Sequence, residues 1–183
     1  MQSNKTKDIV YIGLYLALTI VLDVVKEMIP FLNLPVGGSI NIALIPVVIA
    51  SLHLGVGKGF IVSLLWLVIG TLMGFNPYFL NPIQWTLDYA LSTLVMGFAA
   101  IFYKKHTVGE ALGGITLTMF IRTLSIVLSG VFFYFPEGSV AGSWPAWLGS
   151  LQYNLPYSIA TLVVLLIVTP LVLKLINKKT ETK

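Results

Sequence analysis

The sequence predicts an all-α membrane protein: one integral membrane domain of six transmembrane helices, with both ends on the inner side. Three observations predict it. Of its 183 residues, 57% are hydrophobic and 10% are charged, where a soluble domain carries about 25% charged residues. The apolar residues fall into long runs. The basic residues fall almost entirely between alternate runs. A mean hydropathy of +0.92 points the same way.

The runs occupy residues 9–29, 40–54, 58–75, 83–103, 109–134 and 150–176. A bilayer core needs roughly 20 apolar residues per spanning helix. The first run follows a polar start with Lys5 and Lys7. It is too long for a signal-peptide core and has no small-residue cleavage site, so it reads as a retained helix. The second is short and contains Pro46, which suggests a tilted, kinked or sheltered span. The fourth carries Asp88, and the fifth carries Arg122 near its middle.

Charge orients the bundle. With the N-terminus inside, the inner segments hold Lys5, Lys7, Lys58, Lys104, Lys105, Lys174, Lys178, Lys179 and Lys183. The outer segments hold only Lys26, beside Glu27. This is the positive-inside pattern, and it requires an even number of crossings. The net charge of +4 therefore reports contact with a lipid bilayer rather than with nucleic acid.

The outer loops differ from the inner ones. NLPVGGS (33–39), FNPYFLNP (75–82) and FPEGSVAGSWP (135–145) are rich in Gly, Pro, Asn and aromatics. Binding residues concentrate in loops held by a rigid scaffold, although an interfacial aromatic belt has the same composition. Asp88 is the sharper clue. A carboxylate within a span faces a cavity or a partner, so it either receives a cationic solute or pairs with Arg122. Gln84 lies one turn before it on the same face. Asn154 is a further polar residue that needs satisfaction. Tyr78, Trp85, Tyr89, Tyr134, Trp144, Trp147 and Tyr153 supply flat rings for a heteroaromatic or cationic solute.

Catalytic readings fail. Gly55-Val56-Gly57-Lys58-Gly59 lacks the Ser or Thr that a phosphate-binding loop needs after its Lys. His53 and His106 have no metal-ligand spacing, and Cys is absent. No nucleophile elbow and no paired carboxylates occur. The sequence calls for no metal, no cofactor and no enzymatic activity. Three classes stay open: a solute-binding subunit, a self-sufficient ion-coupled carrier, and a membrane enzyme or structural factor. A carrier would need several buried carboxylates. Asp23 and Glu27 fall near the outer end of the first run, which leaves Asp88.

GGSINIALIPVVIASLHLGVGKGF (37–60), PYFLNPIQWTLDYALSTLVMGFAAIF (77–102), RTLSIVLSGVFFYFPEG (122–138) and PAWLGSLQYNLPYS (145–158) resemble a known family. It is the substrate-binding S-components of energy-coupling-factor (ECF) vitamin transporters, most closely the thiamine-specific ones. The resemblance implies a six-helix S-component bundle in a bacterial plasma membrane. It implies a vitamin pocket closed by the outer loops, and partnership with a transmembrane scaffold and two ATP-binding-cassette ATPases. Carried over residue by residue, it implies ligand contacts at Tyr78, Gln84, Asp88, Tyr89, Gly130, Tyr134 and Asn154. Trp147 joins them as a ring of the same zone.

Three positions depart from the thiamine pattern. Ile126 stands where a His is common, Gly149 where a Tyr is common, and Gly37 and Gly38 where some members carry a Trp. A lost ring leaves room and removes stacking. The ligand is therefore thiamine held differently, a thiamine precursor or another vitamin such as riboflavin. Thiamine's permanent cation suits Asp88, whereas riboflavin would leave that carboxylate needing another partner. Gly37, Gly38, Gly138 and Gly142 suggest mobile lids. Gly13 and Ala17, four apart on the first helix, suggest a docking face for the scaffold.

Overall fold

The computed structural model describes residues 2–35, 37–76 and 78–181, with side chains from 5 to 176. Val36 and Pro77 of the first two outer loops, Lys183, and the side chains of Lys178 and Lys179 lie outside the described residues. Among the described residues the fold is helical. The nearest approach to a sheet is one isolated antiparallel bridge, Asn33 to Ser39.

Helix α1 runs Gln2–Met28, a full turn and more earlier than the apolar run suggests. The polar start is helical too, and the helix ends just before Pro30, whose ring disfavours helix in the preceding residue. Helix α2 is Leu44–Leu54. Pro46 falls in its first turn, where a missing N–H breaks no helical bond, so it does not produce the anticipated kink. Gly55, with φ of 93°, ends α2 and starts α3, Val56–Leu72. The glycine run that fails as a phosphate loop is thus a hairpin turn. Across that hairpin, a Cβ on Gly59 would stand 2.6 Å from the Ser51 Cα, so the two helices pack with almost no gap.

Helix α4 occupies 82–98 and changes pitch along its length. It opens with Pro82–Trp85, capped by Asn81, whose side chain accepts from the Ile83 and Gln84 N–H groups at 3.0 and 2.9 Å. It widens to π-pitch over Thr86–Leu91 and tightens to 3-10 over Val95–Phe98. It ends five residues short of the expected 103. Helix α5 is Val108–Phe133, capped by Thr107. Helix α6 is Trp144–Glu181, with Pro156 and Pro170 inside it. It begins six residues before the expected 150, so Asn154 lies well inside the helix rather than at its start.

The distribution of polarity is inverted. Thr19, Asp23, Gln84, Ser129, Asn154, Thr161 and Thr169 are buried, while Ile9, Leu72, Phe120, Ile159 and Ile167 are exposed. Along α6 the exposed apolar residues recur every four positions, at 155, 159, 163, 167, 171 and 175. An apolar exterior of this extent has to be covered, and lipid covers it. Lys5–Met28, Val108–Phe133 and Trp144–Ile176 are long and apolar enough to cross a membrane, and α2 and α3 are shorter apolar helices.

The two ends of the bundle differ. At the Gly55 end, Lys58 pairs with Asp8 at 2.7 Å, and the Tyr15 hydroxyl shares a 2.8 Å hydrogen bond with His53 Nδ1. Leu44, Val47, Val48, Met96, Ile115 and Met119 pack tightly along α2, α4 and α5. At the other end the helices part.

Candidate functional site

The parted end holds a cavity of about 740 Å³, within the range of small-molecule sites. Helices α1, α3, α4, α5 and α6 and the segment before α2 contribute to its wall. Among the lining residues are Lys26 from α1, Asn41 just before α2, Trp66 from α3, Asp88 from α4, Arg122 from α5 and Tyr157 from α6.

Asp88 and Tyr89 sit on the π-turn of α4. A π-turn inserts an extra residue and displaces backbone carbonyls from their usual partners, and such turns recur at functional sites. Side chains take up those carbonyls here. Ser125 Oγ donates to Leu87 O at 2.6 Å, Ser92 Oγ donates to Asp88 O, and Arg122 Nη1 donates to Ser92 O at 2.7 Å. The bulge is therefore braced by α5. The carboxylate it presents is held from below. Gln84 Nε2 donates to Asp88 Oδ2 at 2.6 Å, and Gln84 Oε1 accepts from Leu80 N at 3.0 Å.

Ser129 and Tyr134 face the same carboxylate. Ser129 Oγ is buried with no hydrogen-bond partner among the described residues. No ion pair joins Asp88 to Arg122 among the described residues. The alternative in which those two neutralise each other is not the arrangement found.

Of the residues singled out by sequence, Tyr78, Asp88, Tyr89, Gly130, Tyr134 and Asn154 line the cavity, and Gln84 stands behind Asp88. Asn154 Nδ2 donates to Ser150 O at 3.0 Å, and its Oδ1 accepts from the Tyr157 hydroxyl. Asn154 thus aims Tyr157 as well as facing the cavity. Gly130 makes room for Ser150 and Asn154, since a Cβ there would meet Asn154 Nδ2 at 3.3 Å and Ser150 closer still. Trp147 is placed elsewhere. It packs on a small apolar cluster of Val127, Val131 and Ala146, away from the lining. Ile126, Gly149 and Gly38, at positions that depart from the thiamine pattern, are all on the wall.

Sequence reasoning missed several wall residues. Lys26 does not pair chiefly with its neighbour Glu27. Its Nζ lies 2.6 Å from Asp23 Oδ1 and 3.7 Å from Glu27 Oε1. Asp23, five residues before the end of α1, is buried and also accepts from Trp66 Nε1 at 2.8 Å. The i, i+3 spacing of Asp23 and Lys26 was a usable signal; the Trp66 partner, on another helix, was not. Asn41 Oδ1 is buried on the wall with no hydrogen-bond partner among the described residues.

The loop 33–39 covers one side. It is closed on itself by Leu34 N to Gly38 O at 3.0 Å and Gly37 N to Leu34 O at 2.9 Å. Gly37 and Gly38, with φ of 98° and 74°, lie directly on the rings of Tyr153 and Tyr157. Any side chain at either position would overlap a ring. Among the described residues no cluster of His, Cys, Asp or Glu is suited to hold a metal.

Fold and cavity together define a helical membrane protein that binds a small solute between its helices. The chain belongs to the family described as "Thiamine transporter protein" (Thia_YuaJ), whose profile matches residues 9–181. The thiamine transporter ThiT of Bacillus subtilis (strain 168) is 29% identical over 181 residues, covering 91% of this chain and 90% of that protein. The solved structure of ThiT from Listeria monocytogenes is similar in fold. Its TM-score is 0.68 at 24% identity, covering 90% of this chain and 96% of that one. The family and the relative are transporters, not enzymes.

Proposed function

We propose that the chain is the solute-binding subunit, or S-component, of an ECF importer for thiamine or a closely related compound. The observation that carries this is Asp88, a carboxylate with no cationic partner among the described residues, on the wall of an aromatic-lined cavity. A thiazolium cation balances it, and Tyr78, Tyr89, Tyr134, Tyr153 and Tyr157 offer ring faces for the two heterocycles. Gln84, Gly130 and Asn154 shape and orient that site. Riboflavin, which is neutral, would leave the carboxylate uncompensated. Family membership supports the same ligand class.

The proposal includes one integral domain that crosses a bacterial plasma membrane six times, through α1 to α6, with both ends in the cytoplasm. The lysines at the Gly55 end support that orientation. The cavity then opens outward, and the loop 33–39 acts as its lid.

Transport requires an energy source that this chain does not supply. A transmembrane scaffold and two ATPases provide it, and the scaffold docks on α1 at Gly13 and Ala17. Both are exposed, and among the described residues no atom beyond the adjoining backbone of α1 lies within 4 Å of where a Gly13 Cβ would stand. The face is thus open to a partner helix rather than filled from within this chain. Titrating the purified chain with thiamine tests the binding role. Saturable binding that Asp88→Asn weakens is expected, and no binding by a folded protein sinks the reading. Replacing Gly13 with Trp should abolish scaffold copurification and leave binding intact.

A second reading, a self-sufficient ion-coupled carrier, draws on Asp23 and Asp88 as two carboxylates within spans. Lys26 already neutralises Asp23, which argues against a proton relay. Uptake into vesicles holding this chain alone would favour the carrier; uptake only with an ATP-hydrolysing partner favours the S-component.

A further inference from the structure

Among the described residues Asp23 is the only acidic side chain that is buried, and recognition through Asp88 leaves it without a task. Both of its oxygens face groups of the cavity wall. Trp66 Nε1 donates to Oδ2 at 2.8 Å. Lys26 Nζ lies 2.6 Å from Oδ1, off hydrogen-bond geometry, so that contact is ionic. Trp66 and Lys26 line the cavity, and Asp23 stands behind them. A buried ion pair is a poor stabiliser, because desolvation offsets its Coulomb gain. A carboxylate kept inside a span therefore points to a role in function.

The charges of the wall show what that role is. Lys26, Asp88 and Arg122 are the charged side chains lining the cavity, and they sum to one positive charge. Such a wall repels a cation. Asp23 brings the sum to zero. Its field reaches Arg122 as well as Lys26, although no ion pair joins Asp23 to Arg122 among the described residues. Glu27 is no substitute. Its Oε1 lies 3.7 Å from Lys26 Nζ, but its side chain is 65% exposed, where water and salt screen it. A charge behind a poorly polarisable wall acts further and more strongly.

Resting on the thiamine reading above, we propose that Asp23 is a specificity-determining residue for cationic ligands: from behind the wall it cancels the positive charge of Lys26 and so lets the cavity take up a further cation. Asp88 meets the ligand's charge directly. Asp23 acts through Lys26, and the Trp66 N–H fixes the carboxylate in the place where it does so. Charge selectivity is then set by two carboxylates in two layers, one facing the cavity and one behind it.

The test is calorimetric titration of the purified chain with thiamine and with a neutral isostere in which thiophene replaces the thiazolium ring. Asp23→Asn keeps an acceptor for Trp66 and removes the charge. Its affinity for thiamine should fall by at least about fivefold, and for the isostere by less than about twofold. Asp23→Asn combined with Lys26→Met removes the cation as well, and should return the ratio of the two affinities to within about twofold of wild type. Equal losses for both ligands would mean that Asp23 only holds α1 against Trp66, and would overturn the proposal. So would an unaltered ratio in Asp23→Asn, or a ratio that the double variant fails to restore. Should Asp23→Asn fail to fold, Lys26→Met decides: its ratio should shift toward the cation, and an unmoved ratio overturns the proposal. Should wild type reject the isostere, the loss of thiamine affinity in Asp23→Asn and its recovery in the double variant decide in the same way. If wild type does not bind thiamine, the thiamine reading itself falls and this proposal with it, a result distinct from loss of charge selectivity alone.

Discussion

The two ends of α4 leave ideal helical pitch in opposite directions. Over Thr86–Leu91 the helix widens, and over Val95–Phe98 it tightens. The wide turn carries Asp88 into a cavity and depends on polar side chains from α4 and α5 to satisfy its carbonyls. The tight turn carries Gly97 into the backbone of α3, where a Cβ would stand 2.7 Å from Phe60 Cα and 2.8 Å from Gly59 O. Ser51 closes that end, donating to Gly97 O at 2.7 Å and accepting from Ala100 N at 3.0 Å. One rod thus serves two purposes: adaptable recognition where it is loosened, and rigid anchorage where it is compressed.

That contrast makes separable demands on stability and affinity. The largest expected effect is at the tight end. Gly97→Leu forces a side chain against backbone that has nowhere to move, and should cost about 3 kcal/mol of stability. Thermal unfolding in detergent reads it, and ligand affinity of the folded fraction should be unchanged. Next is Asp88→Asn at the wide end, which should weaken a cationic ligand by about 1–3 kcal/mol with little change in melting temperature. A large fall in melting temperature would mean that the carboxylate is structural. Arg122→Gln should then restore stability, an outcome the absence of an Asp88–Arg122 pair argues against.

Ser125→Ala probes the brace between the two ends. It leaves Leu87 O without its side-chain donor, so about 1 kcal/mol of stability and a smaller share of affinity should be lost together. The smallest effect is expected at Trp147, which packs off the cavity. Trp147→Phe should lower thermal stability by under about 1 kcal/mol and leave the dissociation constant alone. A clear loss of affinity there would return Trp147 to the binding surface.

Much of this was legible in the sequence because membrane insertion writes simple rules. Lysines between alternate apolar runs, the runs themselves and one acidic side chain inside a run pointed to a helical bundle and to Asp88. The family resemblance then collected six residues that line the cavity. What stayed hidden is long-range or geometric. No sequence pattern distinguishes a π-turn from an α-turn over TLDYAL. Asp23 read only as lying near the outer end of the first run; its hydrogen-bond donor, Trp66, stands forty-three positions further on, on another helix. Trp147 read as a site aromatic because rings near a membrane boundary look alike until α6 is seen to begin at Trp144. Arg122 was visible, but its partner is a backbone carbonyl on another helix, which no side-chain pattern reveals.

The contacts of Gly37 and Gly38 with Tyr153 and Tyr157 bear on how such sequences diverge. Neither member of a pair is free to drift alone: a side chain at 38 is admissible only once the ring at 157 has shrunk or turned away. Positions 38 and 157 should therefore be exchanged together across descendants, a bulky lid residue with a small helix residue or the reverse. Each exchange moves aromatic surface from one side of the entrance to the other. Lineages that made opposite choices would share an ancestor and a scaffold, and still grip their solutes from different sides.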